Sequence, residues 1–524
     1  MKNVEEHKKL LAQIAELEKD STNFFDVEKE FFLIDSENLS EVKTKLYGYS
    51  IQATGIYEQD NLTEDAAKNL DGRGCYVYVE VKDGQITIKQ DLNGCWGIYL
   101  FRHGDYFALS NSFFRLLDHV KFKYPLTVNR DYCNYFLVID LCSHAYSETA
   151  VNEISLVDRS AILQIDKAEK HLEIELIDYR EHTVSLDSAE GIAIFDRWVD
   201  FWSNVLREIS KRTNFIQSDL SGGFDTRISL VFLLHSGINL NTIRIYSSND
   251  GLHTHKEDYE IASGIADHYG FKLNQPLPEQ KKLLRYSLSN VVSMDCYHRQ
   301  TFHKDYSYWA QKSIEKTYRL NGSGGETIRK YWHGSPKNFI KNQSRRANYY
   351  PCELASEISY SIENIVESAF RKVCNKFKIN NEDSELIPQY LYQETRCRHH
   401  FGKANSNDYL RNTLNLSPTL DPEIRQLCLN SLNCSDYNLL MALLFVRYAP
   451  DLLKFPFEGN RSIAPETIAY AQKLNEHFPR YFLSANDNRG GYRSICNLVT
   501  CKQKKFLIRG ATINLFQEEF PELT

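Results

Sequence analysis

The sequence predicts an α/β protein, and three observations carry the prediction. From about residue 46 to 180 the chain runs in short alternating apolar stretches broken by turn signals. From about 190 onward, strand patterns alternate with longer helical ones. The first of these alternations pivots on "SDLSGGFDTR" (Ser218–Arg227), where two adjacent glycines separate an apolar run from a helical one. A strand–helix–strand–helix series implies a parallel sheet with right-handed crossovers, and such sheets bind ligands at the carboxyl ends of their strands.

The elements follow in chain order. "MKNVEEHKKLLAQIAELEKD" opens the chain, with Leu10, Leu11, Ile14 and Leu17 at helical spacing. It lacks an apolar core segment and a small-residue cleavage site, so it does not read as a signal peptide, and residues 1–45 are expected to form an extension. "CYVYVEV", "QITIKQD", "WGIYLF" and "YFALS" read as strands, with turns at Lys82-Asp83-Gly84 and His103-Gly104-Asp105. The polar stretch Tyr179–Gly191 fits a linker. "NFIQSDL" predicts a strand, "FDTRISLVFLLHS" a helix stopped by Gly237, and "NTIRIYS" (Asn241–Ser247) the next strand. "KEDYEIASGIADHYG" (Lys256–Gly270) predicts a second helix with a glycine stop, and "FKLNQPL" a third strand. "LLMALLFVRYAPDLL" (Leu439–Leu453), interrupted by Arg447 and Pro450, predicts a buried core helix; no apolar run reaches the ~18 residues a membrane helix needs.

The 524 residues allow two or three domains and a large core. A net charge of −7 speaks against nucleic acid as a bulk partner. The twelve cysteines form no CxxC pair and are expected to be reduced thiols in a cytoplasmic protein. His253 with His255, and His399 with His400, have no companion ligands at metal spacing and read as solvated or core histidines.

Two glycines side by side are poor in a strand or helix interior. Between a strand and a helix they free the backbone to curl into an anion-binding nest, at the positive end of the helix dipole. Ser221, Gly222 and Gly223 stand there, and the hydroxyls of Ser221 and Thr226 add donors. Asp225 would repel a phosphate directly, so its place in such a loop points to Mg²⁺ held between protein and polyphosphate. No Gly-Lys-Ser/Thr follows, so this is not a Walker loop. The bland alternative is a glycine-rich βα turn. A second loop, "YRLNGSGGETIRKYW" (Tyr318–Trp332), repeats the pattern with Gly322, Ser323, Gly324, Gly325 and then Glu326. Two acidic glycine loops on one sheet can chelate one or two Mg²⁺ ions and hold a pyrophosphate, which is more specific than either loop alone.

These motifs resemble the asparagine synthetase family of ATP-pyrophosphatases. "LSGGFDTR" resembles its SGG-x-D-S loop, with Thr226 for serine, and "NGSGGET" its G-x-G-x-D-E loop, with Glu326 for the metal-binding aspartate and Thr327 for glutamate. "DYEIA" (Asp258–Ala262) and "SPTLDPEI" (Ser417–Ile424) are similar to two further family segments. Asp71–Asn111 and Ser147–Asp166 resemble parts of its glutaminase sandwich. The resemblance spans roughly residues 46–450. It implies a degenerate glutaminase-like (Ntn-type) αββα sandwich over 46–180. A PP-loop parallel α/β synthetase domain with a helical C-terminal part would follow over 190–524.

The resemblance further implies an AMP-forming amide ligase that uses ATP and Mg²⁺. Asp225 and Glu326 would be the catalytic metal ligands. Ser221, Gly222, Gly223, Thr226, Gly322, Ser323 and Gly324 would cradle the pyrophosphate, and Ser247 would lie at the adenine position. The substrates would be a small-molecule or peptide carboxylate and an amine, with neither nucleic acid nor membrane as partner. A homodimer is compatible with a sequence that does not specify assembly. The family's glutaminase uses a cysteine directly after the initiator Met, whereas Lys2 stands there and Cys75 is internal. No glutamine hydrolysis is therefore expected, as in β-lactam synthetases and lasso-peptide cyclases. Ser323 stands where the family carries a base-linked Glu or Tyr. The family's transition-state lysine has only Lys454 and "CKQKKF" (Cys501–Phe506) as candidates. The rival readings are a tRNA-modifying PP-loop enzyme, a glutamine-dependent asparagine synthetase and an inactive scaffold.

Overall fold

The computed structural model describes residues 24–25, 28–139, 143–177, 184–278, 282–285, 311–329, 331–332, 334–350, 352–428, 436, 438–479 and 489–492. The helix expected at the N-terminus and the "CKQKKF" lysines lie outside these residues.

Alternating side chains build two antiparallel sheets in the N-terminal part. Their strands are β1 (Leu33–Asp35), β2 (Lys45–Gln52), β3 (Gly55–Tyr57), β4 (Gly74–Lys82), β5 (Gln85–Gln90), β6 (Tyr99–His103), β7 (Tyr106–Ser110), β8 (Ile154–Leu156), β9 (Ala161–Asp166) and β10 (His171–Leu176). One sheet runs β10-β9-β5-β4-β2-β3 and the other β1-β7-β6-β8. Period-two patterning decides the faces. Cys75, Val77 and Val79 of β4 join Leu100 and Leu109 of the other sheet in one core, while Tyr76 and Tyr78 point to the opposite side. Tyr99 and Phe101 face outward onto helices α1 (Phe113–Val120) and α2 (Arg130–Val138). The β4–β5 hairpin turns on Asp83 and Gly84, both at positive φ, as a two-residue turn requires.

The second part is a parallel sheet. Its strands are β11 (Ile216–Asp219), β12 (Leu240–Tyr246), β13 (Thr317–Leu320), β14 (Thr413–Leu416) and β15 (Arg489–Tyr492), in the order β14-β13-β11-β12-β15. Helices α3 (Ala189–Ser210), α4 (Phe224–Ser236) and α5 (His253–Tyr269) flank it, and Gly237 and Gly270 end α4 and α5 in the left-handed conformation. Farther on come α6 (Cys352–Phe377), α7 (Leu439–Tyr448) and α8 (Pro465–His477). Leu439 through Phe445 of α7 are buried, as expected of a core helix. The whole is a mixed α/β molecule with antiparallel sheets and one parallel sheet. Among the described residues no helix is long and apolar enough to cross a membrane. Among the described residues, Cys75, Cys95, Cys133, Cys374 and Cys397 are not in disulfides.

Two expectations are corrected. "FKLNQPL" is not a strand. Asn274 turns into the left-handed region (φ 71°), donating its N–H to the Ile245 carbonyl and accepting the Ser247 N–H on its side chain. The edge beside β12 is instead taken by β15. The described part of the expected linker, 184–191, is structured: Val184–Ser185 pairs with Leu427–Cys428, Leu186 is buried, and Ser188 caps α3 by accepting the Gly191 N–H.

Candidate functional site

β11 and β13 are neighbours, so the loops that leave their carboxyl ends meet. The first loop enters α4 with Gly223 as its N-cap and Asp225 in the first turn. The second loop packs directly on Asp225. A Cβ on Gly322 would stand 2.7 Å from the Asp225 carbonyl carbon, and one on Gly325 would overlap the Asp225 carboxylate. Gly324 (φ 84°) lies against Leu420, where a side chain would collide. The glycines are there for close approach, and what they approach is Asp225.

Asp225 is gripped by a residue that sequence reasoning did not single out. Arg329 Nη2 donates to both of its carboxylate oxygens, at 3.1 and 3.0 Å. Burial, with the charge of Glu326 adding to it, pushes the Asp225 carboxyl up to about 6 although Arg329 opposes the shift. Glu326 is half-buried, near enough to Asp225 for their charges to interact, and its other neighbour is the Tyr392 phenol. Burial first, then Cys397 and Glu326, keep that phenol protonated far above its ordinary range. Among the described residues no group of three or more His, Cys, Asp or Glu forms a metal cage.

The N–H groups of the first loop are satisfied from within. Ser221 donates to the Thr226 hydroxyl (3.0 Å), Gly223 to the Ser221 hydroxyl (3.1 Å), and Gly222 to the Asp258 carboxylate on α5 (2.7 Å). A carboxylate oxygen thus takes the hydrogen bond of the loop N–H expected to meet phosphate. The backbone N–H of Glu458 donates to the Gly222 carbonyl, bringing residues 457–461 over the loop, and Phe457 packs on Phe224 at 4.2 Å between ring centroids. Arg227 organises that cover. Its guanidinium lies under the Phe457 ring and donates to the carbonyls of Gly222, Leu452, Phe455 and Pro456. Burial pushes the Arg227 pKa down to about 10.

The remaining expected residues fall as follows. Ser247 is buried at the end of β12, and its hydroxyl has no hydrogen-bond partner. Ser323 donates its N–H to the Asn321 side chain, and its carbonyl accepts the Thr419 hydroxyl. Thr327 turns inward, its hydroxyl donating to the Gly324 and Thr419 carbonyls, so it staples the second loop. Lys454 pairs with Asp451 at the surface and is 68% exposed. Cys75 is fully buried within β4, its carbonyl accepting the Trp96 indole N–H. His255 pairs with Asp250, and His399 bonds the Ala145 carbonyl. Arg329, Asp258 and Arg227 were missed as site residues. "DYEIA" is legible as a motif, but nothing local in the sequence says that Asp258 reaches a loop 36 residues earlier.

Mg²⁺ with a nucleotide polyphosphate suits these residues. They comprise two neighbouring carboxylates, a loop N–H already bonded to an anionic oxygen, and an orphaned hydroxyl at the end of the adjacent strand. No family model matches the sequence, and no curated protein matches it significantly.

Proposed function

We propose that the chain is an ATP-dependent, AMP-forming amide ligase of the asparagine synthetase kind. Its antiparallel part would be a degenerate glutaminase-like sandwich and its parallel part an ATP-pyrophosphatase. The observation that carries this reading is the convergence of two acidic glycine loops on Asp225, at the carboxyl ends of adjacent parallel strands.

In this reading a substrate carboxylate attacks the α-phosphorus of ATP, giving an acyl-adenylate and pyrophosphate. An amine or ammonia then attacks the acyl carbon, forms the amide and releases AMP. The protein's part is positioning and charge neutralisation. Gly222 and Gly223 offer N–H groups to the pyrophosphate once Asp258 and Ser221 give them up, and Ser221 and Thr226 offer hydroxyls. Asp225 and Glu326 would hold Mg²⁺, which neutralises charge on the leaving pyrophosphate. The Ser247 hydroxyl would meet the adenine, as would the backbone of Ile245 and Ser247 once Asn274 gives it up. Cys75, sealed in a strand, has no route to act as a glutaminase nucleophile, so the nitrogen would come from free ammonia or a substrate amine.

The test is product identity. Purified protein, ATP, Mg²⁺ and the small-molecule and peptide pool of the source cells should yield AMP and pyrophosphate, and Asp225→Ala should abolish the yield. ADP and phosphate would refute the reading. A second reading, a scaffold that binds nucleotide without turnover, draws on the self-satisfied contacts of Asp258 and Arg329. ATP binding with no AMP formed would select it.

A further inference from the structure

We propose that Arg329 is a built-in phosphate ligand, which leaves Asp225 for the pyrophosphate oxygens when the nucleotide binds. The inference rests on the loops being a pyrophosphate site.

Four observations carry it. Arg329 follows the second glycine loop directly and meets the first turn of α4 through Asp225. A guanidinium beside a helix N-terminus lies at the positive end of the dipole, where anions are favoured and cations are not. Only one of its nitrogens, Nη2, is engaged by Asp225, and Nε is buried with no hydrogen-bond partner. A buried donor left unmade is costly, and a polyphosphate oxygen is a strong acceptor for it. The side chain is also aromatic-guided, with Phe224 and Tyr331 each within 6 Å of the guanidinium carbon. Such faces hold a guanidinium plane while letting its donors be exchanged. Finally, Mg²⁺ on the Asp225 carboxylate would place a divalent charge beside the guanidinium that Asp225 holds, and that repulsion frees the arginine for the phosphates.

Arginine suits the task because its planar fork matches phosphate geometry. Without nucleotide, Asp225 keeps the guanidinium in reserve. With nucleotide, Asp225 would hold Mg²⁺ and the guanidinium would meet phosphate, so negative charge on the leaving group would be met from two sides.

The test is calorimetric titration of inorganic pyrophosphate, with and without Mg²⁺, into wild-type protein, Arg329→Lys, Arg329→Ala, Asp225→Ala and the Asp225→Ala/Arg329→Ala double variant. Arg329→Ala should weaken binding in Mg²⁺ about ten- to hundredfold, the usual worth of a charged hydrogen bond. Millimolar guanidine should restore part of the loss, and Arg329→Lys should fall between. Without Mg²⁺, Asp225→Ala should bind pyrophosphate more tightly than wild type, because it releases the arginine, and the double variant should lose that gain. A purely structural Arg329 would give neither the gain nor the rescue. If wild type binds pyrophosphate and the Arg329 variants bind it equally well, this role for Arg329 is overturned while the pyrophosphate site stands. If wild type binds none at any Mg²⁺ concentration, the pyrophosphate site and the role built on it fail together.

Discussion

Asp225 is a largely buried carboxylate set where the two glycine loops meet. Burial pushes its carboxyl up to about 6, above the ordinary value of 3.8. A raised carboxyl favours the folded state when protonated. The stability it contributes is therefore complete below about pH 4 and is lost as pH rises through 6. The shift corresponds to on the order of 2 kcal/mol after solvent screening. Denaturation curves of wild type and Asp225→Asn between pH 4 and 7 would show the wild type losing that advantage over the range, and parallel curves would refute the shift. Arg227 is the opposite case, a cation placed for architecture. It ties residues 452–457 to the first loop through carbonyl oxygens. Arg227→Met keeps much of the bulk but strands those carbonyls, and should destabilise the protein by about 2–4 kcal/mol, read as a lower midpoint in urea.

At the scale of elements, the second glycine loop is set by contact more than by flexibility. Gly324 needs its positive φ and sits against Leu420, while Gly325 has an ordinary backbone but no room for a Cβ beside the Asp225 carboxylate. The two substitutions therefore fail differently. Gly324→Ala strains the loop itself and should cost about 1–3 kcal/mol of stability. Gly325→Ala should displace Asp225, weakening Mg²⁺-pyrophosphate binding more than tenfold with a smaller change in melting temperature. Thermal unfolding and pyrophosphate titration on both variants would separate these outcomes, and identical profiles would count against the assignment. The long π-helix Tyr392–Gly402 is another element with a job, since it carries Tyr392 to Glu326 and buries Glu394.

Across the whole molecule, charged side chains join the antiparallel part to the parts that follow it. Arg73, in the antiparallel part, donates to Asp421 (2.7 Å) and Glu423 (3.0 Å), and Trp202 of α3 donates to the same Asp421. Tyr49 of β2 donates its hydroxyl to the carbonyl of Asn415 on β14. A second junction sets Lys376 of α6 between Asp158 and Glu394, with Arg159 also on Glu394. Burial works against ionisation there, yet Lys376 holds Asp158 and Arg159 holds Glu394 below the usual carboxylate range. Depressed carboxyls contribute stability above their unfolded pKa and lose it as pH falls, so this junction should weaken below about pH 4. Lys376→Met leaves two buried carboxylates short of a partner and should cost about 3–5 kcal/mol at pH 7. Calorimetry should show one transition for the wild type and a broadened or split one for the variant as the two parts uncouple; the same profile for both would refute the coupling.

The sequence by itself determined most of the local elements. The alternation in "CYVYVEV", the glycine stops at Gly237 and Gly270, and the strand–SGG–helix step are written in short-range periodicity and in backbone needs that only glycine meets. Both loops were legible for the same reason, as glycines next to acids. Tertiary structure alone decided what those loops touch. Asp258 on Gly222, Arg329 on Asp225 and Arg227 under Phe457 join residues that are distant in the chain, and each bond depends on which strands become neighbours. "FKLNQPL" shows the same limit. It carries a strand pattern, but a strand needs a free sheet edge, and the edge beside β12 belongs to residues more than two hundred positions later.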